Sequence, residues 1–139
     1  MSTRIQNLLR EASRARREDR LIDARRDFAE AVNLSRQPEP RVLLVEALKG
    51  LGQIERDFGR ADAARTLIEE AVAICRDENN DLQLAHTVRH LGDIYQDLDR
   101  MDEAETCYKE AVMLYGGHEH TRSLDMANAI RLLGLARAI

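Results

Sequence analysis

DRMDEAETCYKEAVMLY, residues 99–115, reads as a copy of GRADAARTLIEEAVAIC at 59–75 and of DRLIDARRDFAEAVNLS at 19–35. The register between copies is forty residues: Ala24, Ala64 and Ala104; Phe28, Ile68 and Tyr108; Ala31, Ala71 and Ala111. Glu30, Glu70 and Glu110 keep step, as do Val32, Val72 and Val112. Within each copy the small, large and small residues stand four and then three apart, which puts them on one stripe of a helix. Two alanines let a neighbouring helix come close, and the large residue between them fills the space that remains.

A second helix precedes each copy. LVEALKGLGQIERDFG (44–59) and LAHTVRHLGDIYQDLD (84–99) agree at Leu44/Leu84, Leu48/Val88, Leu51/Leu91, Gly52/Gly92 and Ile54/Ile94. The opening RIQNLLREASRARRED keeps Leu8 and Ala12 at the same places. A glycine inside a helix costs up to about 1 kcal/mol relative to alanine, so its recurrence at one phase predicts a crossing point with no room for a side chain. MANAIRLLGLARAI (126–139) repeats this helix two residues late, with Ile130, Leu133 and Gly134 in the places of Val88, Leu91 and Gly92. Pro38 with Pro40, Asn79-Asn80 and Gly116-Gly117 read as connectors. The expectation is seven helices in a single domain over 1–139, with repeats at about 1–38, 39–79 and 80–117 and a closing helix at 121–139.

The pattern Val88, Leu91-Gly92, Tyr95, Ala104, Tyr108 and Ala111 resembles the tetratricopeptide repeat, and Leu48, Leu51-Gly52, Gly59, Ala64, Ile68 and Ala71 meet it again. The unit is longer than the family's usual one and lacks its closing proline, which is similar to the kinesin light chain variety. The resemblance implies an all-α solenoid, a right-handed superhelix whose first helices line a concave groove. Solenoids of this type bind extended peptides or partner helices there. The family's clamp for a C-terminal carboxylate is not matched: Leu9 and Ser13 stand at its first-repeat places and His86 and His90 at its third, with only Lys49 and Gln53 as an echo.

Helical phase names the groove-facing residues. They include Arg10, Arg16 and Arg17 in the first repeat; Lys49, Gln53 and Arg56 in the second; His86, Arg89, His90 and Asp93 in the third; and Arg131 in the closing helix. Basic residues outnumber acids along this face although the chain carries a net charge of −4, and complementary potential then favours an acidic peptide or protein ligand. Opposite the closing helix's inner stripe of Met126, Ile130 and Leu133 stand Leu132, Leu135 and Ile139. An apolar stripe facing water predicts an interface, here a homodimer about those three residues.

Other chemistries have weaker signals. His86 and His90 stand four apart with Asp93 beside them, a spacing that can ligate zinc, and His118-Glu119-His120 offers a further donor. No glutamate follows His86, as the HExxH protease motif requires. No phosphate loop, nucleophile elbow or carboxylate pair points to catalysis, so the expectation is no enzyme, no metal and no cofactor. Residues 1–26 hold eight arginines and four acids, and RARREDR with DARRDF could meet phosphates of a nucleic acid. With aromatic residues at only 4% there are few stacking platforms, so no nucleic-acid partner is expected. Cys75 and Cys107 lie in different repeats without a CxxC motif. The opening MSTRIQNLLREASR is broken by charge, and no apolar run approaches the ~20 residues of a membrane span. A cytoplasmic protein without membrane association is the expectation.

Overall fold

The computed structural model describes residues 2–36, 41–116 and 128–134. Six helices follow one another: α1 (Ser2–Arg17), α2 (Leu21–Leu34), α3 (Arg41–Asp57), α4 (Ala61–Asp77), α5 (Asp81–Asp97) and α6 (Met101–Gly116). Residues 128–134 are helical as well, and no strand occurs among the described residues. None of the described helices is long and apolar enough to cross a membrane. The chain divides into two compact units, Met1–Ile74 and Cys75–Ile139.

In the first unit the repeated stripe is the core. Ala24, Ala31, Ala64, Ile68 and Ala71 are wholly buried, and Phe28 nearly so. Phe28 packs with Ala12, Ala15, Ala24 and Ile54, and Leu9, Leu21 and Leu51 close over them. Helix α3 carries two close approaches. A Cβ on Gly52 would stand 2.7 Å from the Ile68 side chain, which is the crossing expected from its phase. A Cβ on Gly50 would stand 2.2 Å from the Phe28 ring, an approach without a repeat forty residues on, where His90 stands.

The second unit repeats the device. Ala104, Tyr108 and Ala111 are wholly buried, and a Cβ on Gly92 would stand 2.6 Å from the Tyr108 ring. Tyr115, also fully buried, packs with Ala85, Ala111 and Ala129. Cys75 and Cys107 are buried free thiols.

The closing segment is rotated from its expected phase. Ile130, expected inside, is 49% exposed, whereas Leu132, expected outside, packs with Leu133 against Ala104 and Tyr108. The small residue decides this: Ala129 permits close approach to Ala85 and Ala111, and the next inward turn from it falls on Leu132 and Leu133. Gly134, expected at a crossing, has nothing among the described residues within 4 Å of the position a Cβ would take. Met126, Leu135 and Ile139 lie outside the described residues.

The turn inside each hairpin also recurs at forty. Asp19, Gly59 and Asp99 have φ of 62°, 78° and 59°. The following amides, Arg20 N–H, Arg60 N–H and Arg100 N–H, reach back to the carbonyls of Ala15, Glu55 and Tyr95 at 2.8 Å each. That is the six-to-one bond of a Schellman ending, whose left-handed residue is best a glycine. Asp99→Gly is therefore expected to raise stability by about 0.5–1 kcal/mol, the left-handed cost relieved less the entropy glycine adds to the unfolded chain. A thermal midpoint at or below that of wild type would refute it. Asn79, with φ of 54°, ends α4 in the same way, and the Asn80 side chain accepts the Gln83 N–H at 3.2 Å to start α5.

The second helices are tied repeat to repeat by charge. Arg36 donates to both carboxylate oxygens of Glu70 at 2.7 and 3.2 Å, and Arg76 does the same to Glu110 at 2.6 and 2.8 Å. These hydrogen bonds push both guanidinium pKa values above their ordinary value. Glu30, the first glutamate of this series, accepts from Arg4 of α1.

Candidate functional site

Helix α1 buries Ile5, Ala12 and Ala15 and turns a polar edge the other way. Gln6, Arg10, Ser13 and Arg17 stand four, three and four apart, so they share one stripe of that edge. They border an open cavity of about 490 Å³ between α1 and α3. Leu9 lines its α1 side, and Val42, Leu43 and Glu46 of α3 form the facing wall. Val42 is 50% exposed, a large apolar side chain left at the rim.

Charges around this cavity fall into two groups. Arg16 donates to the Asp57 carboxylate from Nε at 2.8 Å. Arg14 pairs with Glu18, Arg20 with Glu18 and Asp23, Arg25 with Glu55, and Arg26 with Asp23 and Asp27. Glu18, held between Arg20 and Arg14, keeps its carboxyl pKa below the ordinary glutamate value. Most arginines of the first hairpin are thus occupied within the protein. Arg10 and Arg17 differ: among the described residues neither makes a hydrogen bond or ion pair, and both border the cavity. Further along α3, Lys49, Gln53 and Arg56 are half-buried and each is already engaged by a neighbour.

In the second unit the expected site residues of α5 meet buried tyrosines. The Tyr115 hydroxyl lies 2.9 Å from His86 Nδ1, and the two rings meet edge to face at 5.4 Å. The Tyr108 hydroxyl donates to Asp93 Oδ1 at 2.5 Å. Arg89 approaches the same carboxylate only to 3.9 Å, and its Nε–H is buried with no acceptor. His90 is half-buried and also has a partner. The structure thus gives His86 and Asp93 polar duties toward the core that helical phase alone did not indicate. Among the described residues no three His, Cys, Asp or Glu side chains are grouped to hold a metal. His118, Glu119 and His120 lie outside the described residues. Arg131 is exposed and donates to Asn128 at 2.7 Å. Of the three residues expected at a dimer interface, Leu132 is packed inward, and the other two fall outside the described residues.

Two segments, 44–81 and 90–118, match models of the tetratricopeptide repeat. No curated protein matches the chain. Among solved structures it is similar to BtubC (BKLC) from P. vanneervenii, at 22% identity and a TM-score of 0.79, covering 90% of this chain and 51% of that one. It is similar also to the apo form of RapI, at 13% identity and a TM-score of 0.91, covering 98% and 49%. A third is the TPR2AB-domain:pHSP90-complex of yeast Sti1, at 16% identity and a TM-score of 0.72, covering 99% and 50%. The chain spans about half the length of each of these. At such identities the likeness is one of fold, an all-α helical-repeat solenoid.

Proposed function

We propose that this chain, a tetratricopeptide repeat protein, is a non-catalytic protein-interaction module that takes a peptide or partner segment on the face bearing Arg10, Ser13 and Arg17. The observation that carries this reading is the cavity between α1 and α3, bordered by two arginines with no partner of their own among the described residues. A folded protein gains nothing internally from such charges, whereas a ligand carboxylate would gain a charge-assisted hydrogen bond from each. The yeast Sti1 structure, a complex with pHSP90, supports the reading as a use of the same fold. His86 and Asp93 favour a structural account over a catalytic one, since each already partners a buried tyrosine hydroxyl.

A photoreactive side chain placed at Ser13 tests this against one placed at Ala73, which is exposed on α4. In the native lysate the Ser13 probe is expected to cross-link a discrete protein that the Ala73 probe does not. Equal capture by both, or capture by Ala73 alone, would remove the face from consideration.

A further inference from the structure

We infer that the α1–α3 cleft selects an extended, doubly acidic segment of a partner protein, in which two carboxylates three residues apart flank an aliphatic side chain. This rests on the interaction reading above and gives it a ligand chemistry. Arg10 and Arg17 stand seven residues apart on α1, which is two helical turns and about 10 Å along the axis. They therefore point from the same edge, two like charges that no hydrogen bond or ion pair engages among the described residues. Each guanidinium offers a planar fork that a carboxylate meets with two hydrogen bonds. Ser13 stands between them on α1, with Leu9 beside Arg10 and the half-exposed Val42 across the cleft, two apolar groups and one hydroxyl.

The spacing of the arginines selects the ligand's geometry. A polyproline-type chain has three residues per turn and rises about 3.1 Å per residue, so its first and fourth side chains share a side about 9 Å apart. That is close to the two-turn spacing of Arg10 and Arg17 along α1, and of the two residues between the carboxylates the first can turn toward Leu9 and Val42. Glu46 stands on the cleft's α3 side and repels acid there. It holds the two carboxylates toward α1 and lowers the affinity that the arginines alone would give.

Fluorescence anisotropy with the full chain tests this, using three labelled peptides that share the flanks Ser-Gly and Gly-Ser. Their centres are Glu-Leu-Pro-Glu, Gln-Leu-Pro-Gln and Lys-Leu-Pro-Lys. The acidic probe is expected to bind at least about tenfold tighter than the amide probe. Its affinity should fall with added salt, because the contacts are exposed. Arg10→Glu with Arg17→Glu should abolish binding while leaving the circular dichroism spectrum unchanged. Glu46→Gln should tighten it severalfold, which a merely structural role for these residues would not produce.

Equal affinity for the acidic and amide probes overturns the inference, as does an unchanged affinity in Glu46→Gln, or no binding of the acidic probe at about 1 mM. If the amide or basic probe binds best and the paired arginine substitutions alter it, the cleft is a peptide site of different chemistry, and only the acidic assignment falls. If no probe binds and the Ser13 cross-linker captures nothing, the interaction reading falls with it.

Discussion

Tyr108→Ala is expected to cost about 3–5 kcal/mol, the range for removing a large buried aromatic side chain. The ring is wholly buried against Gly92, Ala104, Tyr95, Leu132 and Leu133, so the space it leaves is walled by groups drawn from three helical segments. Filling that space would require all three to move together, and partial collapse recovers little. The substitution also strips Asp93 of the hydroxyl donor that satisfies it, leaving a carboxylate 14% exposed beside an arginine at 3.9 Å. Tyr108→Phe separates the two contributions by keeping the ring, and should cost about 1 kcal/mol. Chemical denaturation followed by far-ultraviolet circular dichroism measures both. A loss below about 1 kcal/mol for Tyr108→Ala would mean that the ring is not the centre of the second unit's core.

Gly50→Val is the second large effect, with an expected loss of about 1–3 kcal/mol from overpacking. A helical glycine normally gains from substitution, since any side chain limits the unfolded chain. Here the gain is outweighed, because the first carbon would fall 2.2 Å from the Phe28 ring. That ring is enclosed by Ala12, Ala15, Ala24 and Ile54 and cannot retreat without opening α2 from α3. Gly134→Ala is the contrasting case. Among the described residues nothing lies within 4 Å of its Cβ position, so the ordinary helix preference should show as a gain of up to about 1 kcal/mol. Two glycines in helices of one small protein should thus respond with opposite signs in the same denaturation experiment. The same sign for both would break the link drawn between glycine and helix crossing.

The core was legible because burial repeats. Ala24, Ala64 and Ala104 recur at forty residues because each stands at an equivalent crossing, and all three are wholly buried. Gly50 has no such signature, since a contact made once leaves no periodic trace. The Leu-Gly pair of the closing segment points to Ile130 inside and Leu132 outside, while the packing is set by Ala129. On the candidate site, helical phase put Arg10, Arg16 and Arg17 on one face, and the structure brings Arg10 and Arg17, with Gln6 and Ser13, to the edge of a cavity. Phase says which side chains share a face, but not which are already spoken for. Arg16 looks identical to Arg17 in the sequence, yet one meets Asp57 and the other meets the cavity. Those pairings depend on rotamers and on residues some forty positions away. Glu30, Glu70 and Glu110 carried a readable signal whose meaning the sequence alone did not disclose: each accepts an arginine.

These arginine–glutamate clasps are exposed, and pairs of that kind are worth only about 0–1 kcal/mol. Their two-pronged geometry makes them more useful as a key than as glue. Arg36 reaches Glu70, and Arg76 reaches Glu110, over the same thirty-four residues. A repeat inserted one residue out of step would present its carboxylate about 100° round the helix from the arginine and leave both charges to solvent. The junction is a coupling that favours, by that modest margin, a repeat cut to the same gauge over one that is not. Repeats of this protein should therefore behave as interchangeable parts, and duplicated copies that preserve the coupling should be modestly more stable than copies joined at an arbitrary turn.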